Sequence, residues 1–250
     1  MANTARAVLE SALRVRKLDR TLTTALPALE RTDPSALVPT DVAALDACLR
    51  GGLPRGQLCE IAGPRSSGRL TVLLQLMAAA VRRGEIVAFV DTFDRFDVAS
   101  AVAAGVDLTR VLWIRGQSIA RTQGAASASL ERAIDRALKS LNLVLQAGGF
   151  GVVAIDLADV PLPALTRIPF TTWLRVQRTI EGSETACVLV TPQPVARSAG
   201  GLTLTLGAEA QWRGDADRRR RLTGLDVSAH VMSPRRRVGG DAHVRCTLRG

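Results

Sequence analysis

Tyrosine is absent from this chain of 250 residues, and aromatic residues make up only 3% of it. Apolar residues are 47% and charged residues 22%, the balance of a packed globular domain, so the core has to be built from Val, Leu, Ile and Ala rather than from rings. No uninterrupted apolar run approaches the roughly 20 residues of a membrane span. Arg6, Glu10, Arg14, Arg16 and Lys17 precede any long apolar stretch, which argues against a signal peptide and for a cytoplasmic protein. Histidine occurs only at His230 and His243, and Cys48, Cys59, Cys187 and Cys246 contain no Cys-x-x-Cys pair. No metal constellation is therefore expected. Cys59 and Cys187 stand inside apolar, strand-like runs and are expected as buried thiols.

Charge is present in excess of one sign. The formal net charge is +10, and between Gln211 and Gly250 ten Arg face four Asp, which places +6 in the last 40 residues. Such an end favours polyanions or an acidic protein surface. Arg218, Arg219, Arg220 and Arg221 follow Asp215 and Asp217, and Arg235, Arg236 and Arg237 follow Pro234. Both clusters are expected in turns, where planar guanidinium forks suit bidentate phosphate contact. They are the candidate contacts with DNA or a protein partner, against the plainer alternative of a solvated basic surface. No aromatic residue interleaves them, so stacking on single-stranded bases is not indicated.

Residues 4–22 have the pattern of an amphipathic helix. Val8, Ala12, Val15, Leu18 and Leu22 recur at three- and four-residue steps on one face, with Arg6, Arg14, Arg16, Lys17 and Arg20 opposite. Pro27, Pro34 and Pro39 then mark a linker. The predicted organisation is an N-terminal helix and linker over 1–37 and a core over 38–250. The apolar stripe packs back on its own core or docks on another subunit or protein.

Within the core, Thr40 predicts the cap of a short helix reaching Leu49, closed by Gly51 and Gly52. Strands are predicted at 57–62, 85–91, 111–115, 151–156 and 186–191, alternating with helices at 71–83, up to 104, at 126–146 and at 173–180. That alternation predicts an α/β fold with a mostly parallel central sheet. Beyond Leu202 the helices stop, and short alternating segments with Gly turns predict antiparallel strands.

The strand ending at Ala62 runs into Gly63-Pro64-Arg65-Ser66-Ser67-Gly68-Arg69-Leu70. A Gly-rich turn opening a helix binds phosphate because backbone N–H groups converge on the anion and the helix end adds partial positive charge. The working pattern is Gly, four residues, then Gly-Lys and Ser or Thr. Gly63 and Gly68 keep the spacing, but Arg69 replaces the lysine with a larger planar fork, and Leu70 has no oxygen for Mg²⁺. Losing one charge-assisted contact costs about 1.5–3 kcal/mol. The loop either keeps weak affinity for nucleotide through Gly63, Ser66, Ser67, Gly68 and Arg69, or survives only as a turn that shapes the fold.

The stretch Gly52-Leu53-Pro54-Arg55-Gly56-Gln57-Leu58-Cys59-Glu60-Ile61-Ala62, continuing through that loop to Leu70, resembles bacterial RecA. There a Gly-Leu-Pro-x-Gly turn leads to a strand and then to Gly-Pro-Glu-Ser-Ser-Gly-Lys-Thr. The likeness extends through Val87-Ala88-Phe89-Val90-Asp91 and Val152-Val153-Ala154-Ile155-Asp156 and covers most of the core from Val38. It implies a RecA-like P-loop fold. Where RecA has Asp-Ala-Glu, the Glu positioning the attacking water, this chain has Asp91-Thr92-Phe93. Phe93 can neither accept a proton nor orient water, a loss that costs about 10²–10⁴-fold in rate. Asp156 matches the acid expected near Mg²⁺, although an isolated strand-end carboxylate satisfied by backbone N–H groups has the same appearance. Gln193 matches the glutamine that senses the γ-phosphate. The segments matching RecA's two DNA loops are short or Pro-rich, and RecA's C-terminal domain has no counterpart in this sequence.

A RecA-like core with these losses and an Arg-rich end is similar to the ImuA family, accessory proteins of inducible mutagenic translesion synthesis. That resemblance implies a non-catalytic, nucleoid-associated protein of the DNA-damage (SOS) response that requires no cofactor and binds ATP or ADP weakly at most. Its implied partners are RecA, an ImuB-like hub protein, an error-prone polymerase, and DNA through the basic end. Two other functions fit the same core: a SulA-like inhibitor of cell division, and a slow RecA-type ATPase.

Overall fold

The apolar runs that alternate with helical stretches become the central strands of one sheet. The computed structural model describes residues 34–118, 127–196, 201–214, 220–233 and 238–247. The expected N-terminal stripe of Val8, Ala12, Val15, Leu18 and Leu22 lies outside them, as do Arg218, Arg219, Arg235, Arg236 and Arg237. Along the chain come β1 (Leu37–Val38), α1 (Ala43–Cys48), β2 (Leu53–Pro54), β3 (Leu58–Ala62), α2 (Arg69–Arg82), β4 (Val87–Asp91), α3 (Val98–Ala103) and β5 (Val111–Arg115). They are followed by α4 (Ser127–Ala147), β6 (Val152–Asp156), α5 (Leu162–Leu165), α6 (Phe170–Ile180), β7 (Ala186–Thr191), β8 (Thr203–Arg213), β9 (Arg221–Ser233) and β10 (Val238–Thr247). β1 and β2 form a small antiparallel pair, and the other eight strands form one sheet in the order β10-β9-β8-β3-β7-β6-β4-β5.

β3, β7, β6, β4 and β5 run parallel. Every residue of β3, β4 and β7 is buried, as a parallel sheet covered on both faces requires. One core, containing Leu73, Leu76, Met77 and Phe89, lies under α1–α3 and continues beneath the last three strands to Leu206, Val227 and Val231. The other, containing Ile134, Leu141, Trp173 and Val176, lies under α4–α6. Cys59 and Cys187 are buried thiols, and burial pushes the Cys187 thiol well above its ordinary range. None of the described helices is long and apolar enough to cross a membrane.

Two elements differ from expectation. Thr40 does not cap α1; Val42 holds that position without a side-chain bond. Thr40 instead donates its N–H and hydroxyl to Asp46 Oδ1, both at 2.8 Å. The Thr40 hydroxyl also accepts the Val42 N–H at 3.2 Å, so it closes a turn just ahead of the helix instead of reaching the N–H groups of the first helical turn. The C-terminal end is not made of short antiparallel segments alone. From Thr203 to Thr205 β8 pairs parallel with β3 along one edge, Glu60 opposite Thr203 and Ala62 opposite Thr205, and along the other edge it pairs antiparallel with β9 over its whole length, as expected for this end of the chain. The same strand thus serves two neighbours, because its first residues cover the open side of β3 before it extends past the sheet.

Candidate functional site

The carboxyl ends of β3, β7 and β6 adjoin in the sheet order, the usual position of a ligand crevice in such sheets, and the loop from Gly63 to Gly68 leaves the end of β3 there. Gly68 is left-handed (φ +85°), and a Cβ on it would sit 3.0 Å from a methyl of Val227. A Cβ on Gly63 would come within 2.6 Å of the Leu206 carbonyl oxygen. These two glycines are therefore needed to seat the loop against β8 and β9, whether or not an anion binds.

Arg69 begins α2 but turns back into the loop, where it is only 7% exposed. Its Nη1 donates to the Gly63 carbonyl and, at 3.4 Å, to that of Thr191, while Nη2 donates to the Ala158 carbonyl at 3.1 Å. The guanidinium thus ties the start of the loop to the ends of β6 and β7. Burial lowers its pKa, against the opposing charges of Asp156 and Asp159. Leu70, 46% exposed, offers no oxygen. A magnesium nucleotide does not fit this donor set: the fork engages the loop's own carbonyl, and the metal's hydroxyl ligand is missing. Ser67 is buried with its hydroxyl unpartnered among the described residues; it lies beneath Gly63, whose added Cβ would meet Ser67 Oγ at 2.5 Å. Ser66 takes a positive φ of 61°.

Asp156 faces this crevice from β6. Its Oδ1 accepts the Ala158 N–H at 2.8 Å. Burial pushes the carboxyl up to about 6; the Asp91 charge adds to the rise, and the Ala158 N–H and Arg69 oppose it. Asp91, at the end of β4, is committed structurally: it accepts the N–H groups of Arg95 (2.9 Å) and Phe96 (2.8 Å) and the Trp113 indole (3.1 Å). Phe93 is packed in the second core with Arg95 over its ring, 5.6 Å from the centroid. Gln193 is exposed just beyond β7. The fold therefore sets Arg69, bonded to the Gly63 carbonyl, within charge range of Asp156, while Ser66, Ser67, Gly68 and Leu70 stand on the same turn between β3 and α2.

Three features of the site were not anticipated. Asp159 pairs with Arg65 at 3.1 Å and with Arg95; burial raises its pKa, but those two cations hold it below the usual carboxylate range. Glu60, buried in β3, accepts the Thr191 hydroxyl (3.0 Å) and the Val195 N–H (2.7 Å), fastening the chain that leaves β7. Burial raises its pKa against those bonds. An acid inside an otherwise apolar strand was the available signal for Glu60. Third, the distal end of the β8–β9 hairpin carries an exposed aromatic beside arginines. Trp212, 56% exposed, opposes Leu222, and Arg213 opposes Arg221. Arg220 and Arg221 are exposed there too. Spacing alone did not show that Trp212 meets this cluster, because the register of the hairpin decides it.

The RecA N-terminal domain family matches residues 24–156. The chain is 35% identical over 130 residues to Protein RecA of Salinispora tropica, covering 52% of this chain and 33% of that protein. It is 34% identical over 131 residues to Protein RecA of an Arthrobacter species, with 52% and 33% covered. It thus spans about a third of the length of these relatives. Among solved structures, that of the RadB recombinase superposes with a TM-score of 0.56 at 20% identity, covering 84% of this chain and 96% of that one. The matched span contains the phosphate loop, Asp91 and Asp156 described above, and the chain belongs to the RecA N-terminal domain family.

Proposed function

We propose that this chain is a non-catalytic RecA-like accessory protein of the DNA-damage response, supporting mutagenic translesion synthesis through contacts with RecA, an ImuB-like hub or an error-prone polymerase, and with DNA. The observation that carries this reading is Arg69, whose guanidinium is bonded to the loop that would hold phosphate. A core that keeps the fold but fills its own nucleotide crevice is left with surfaces as its means of action.

Two surfaces support that. β5 ends the sheet, pairing among the described residues with β4 alone. Leu112 on it is 45% exposed and Ile86 nearby is also exposed. An open edge beside exposed apolar side chains is suited to strand addition by another chain. Substitution of Leu112 by Lys is expected to leave folding intact, since exposed substitutions change stability by only about 0.5 kcal/mol, and to weaken association at least about tenfold, the effect of roughly 1.4 kcal/mol. Circular dichroism and size exclusion with purified partners check the two halves of this expectation.

The second surface is the hairpin end. Arginines directly opposite one another destabilise a strand pair, so Arg213 and Arg221 are better explained by a polyanion than by the fold, and Trp212 adds a stacking face. Weak, sequence-independent DNA binding that falls steeply with salt is expected. Changing Arg213, Arg220 and Arg221 together to Ser should flatten the slope of log affinity against log salt by about 2–3, since each neutralised phosphate contributes roughly 0.9 to that slope. An unchanged slope in fluorescence anisotropy would remove DNA from the proposal.

The whole reading is tested by co-elution of the purified protein with RecA, the hub and the polymerase. Association with at least one, abolished on deleting residues 1–22 or in the Leu112→Lys variant, supports it. Co-elution with none of them overturns it, and RecA-like ATP turnover would move the chain to the slow-ATPase alternative.

A further inference from the structure

A second crevice opens at the carboxyl ends of β4 and β5, on the α4 face of the sheet, with a volume of about 420 Å³. Its polar lining among the described residues is Asp91, Thr92, Arg115, Gln117, Arg136, Lys139 and Ser140. Thr92 is the telling residue. It is 1% exposed, and its hydroxyl has no hydrogen-bond partner among the described residues. A buried hydroxyl without a partner is costly, and native structures keep such groups for a reason.

The cations around it point to the missing partner. Arg136 makes no ion pair or hydrogen bond among the described residues. Arg115 is held by Asp94 through two bonds of 2.7 and 2.8 Å and stacks over Trp113 with its Cζ 4.6 Å from the ring centroid. Lys139 pairs with Asp135 at 2.7 Å. Among the described residues that line the crevice the acid is Asp91, which already accepts from two backbone N–H groups and the Trp113 indole. Arg115, stacked on Trp113 of the other core, turns its guanidinium away from the α4 face and takes no part; Arg136 has no partner among the described residues, and Thr92 and Ser140 bring hydroxyls to the lining. Ile114 and Leu143 supply an apolar wall.

We infer that this crevice is a binding site for a small phosphomonoester, its terminal oxygens taken by Arg136, Thr92 and Ser140 and its organic part by the apolar wall. Three terminal oxygens match several converging donors better than a carboxylate does, and the volume suits a mononucleotide-sized molecule. The site lies on the opposite face of the sheet from the phosphate loop, so its occupancy is independent of Arg69.

The test uses the full chain with inorganic phosphate, adenosine monophosphate and succinate as probes, read by calorimetry and thermal shift. Saturable binding of phosphate or the monophosphate is expected, weakened at least about tenfold by Arg136→Gln and by Thr92→Val and unaffected by Ser67→Ala in the phosphate loop. Thr92→Val also supplies a readout free of ligand: deleting an unpartnered buried hydroxyl should raise the melting temperature of the free protein while removing the shift that the probe causes. Binding that survives both substitutions, binding of succinate alone, sensitivity to Ser67→Ala instead, or no saturation by any probe would each overturn the assignment.

Discussion

Supplied with ATP, magnesium and single-stranded DNA, the purified protein is expected to turn over nucleotide at least about 10²–10⁴-fold more slowly than an intact RecA, the size of effect that follows loss of a group handling the attacking water. Phe93 stands where that group would be and is buried in the α4–α6 core. Leu70 removes the metal's hydroxyl ligand, and Arg69 spends its donors on the carbonyls of Gly63, Thr191 and Ala158. Any residual nucleotide affinity should be insensitive to EDTA, because no magnesium ligand is supplied by the loop. The double substitution Arg69→Lys with Leu70→Thr frees the Gly63 carbonyl and restores the hydroxyl. It should bring back magnesium-dependent binding while leaving turnover low, since Phe93 remains. Hydrolysis by the unmodified chain at the rate of an intact RecA would overturn the non-catalytic proposal outright.

Asp156→Asn is expected to stabilise the protein by about 2–3 kcal/mol at pH 8 and by almost nothing at pH 4. Burial raises the Asp156 carboxyl from 3.8 to about 6, so between those values the folded chain holds a proton that the unfolded chain has released. Stability is then lost as pH rises through that window, at about 1.4 kcal/mol per unit of difference in pKa. Asparagine keeps an oxygen for the Ala158 N–H and has no charge to bury, so the gap between its urea midpoint and that of the parent should widen as pH rises through the window. The difference between the two chains isolates this one group from all others that titrate. An Asn variant less stable than its parent at pH 8 would mean that attraction to Arg69 exceeds the cost of burying the carboxylate, and the sign would reverse.

Much of the fold was legible because its signals are local. Strand-length apolar runs alternating with helical periodicity announced the parallel sheet, and the Gly63-to-Gly68 spacing between β3 and α2 placed the phosphate loop. The losses at Arg69, Leu70 and Phe93 are likewise facts of residue type: no arrangement gives leucine an oxygen or phenylalanine a basic atom.

What a residue does with its freedom was decided by contacts between segments far apart in the chain. A guanidinium on Arg69 is compatible with holding a phosphate or with holding the loop's own backbone. The choice depends on where Thr191 and Ala158 end up, 122 and 89 residues away. Trp212 neighbours Arg213 in the sequence but comes near Arg221 of the facing strand only through the register, which sets Trp212 opposite Leu222 and Arg213 opposite Arg221, and β8 could be recognised as parallel to β3 only once the sheet order was known. Thr92 reads in the sequence as an unremarkable polar residue after a strand; burial beside Arg136 without a partner makes it informative. Side-chain chemistry and local periodicity are written residue by residue, so the sequence by itself determined the α/β class, the loop and its missing groups. Hydrogen-bond partners, register and burial depend on long-range packing, and these the tertiary structure alone decided.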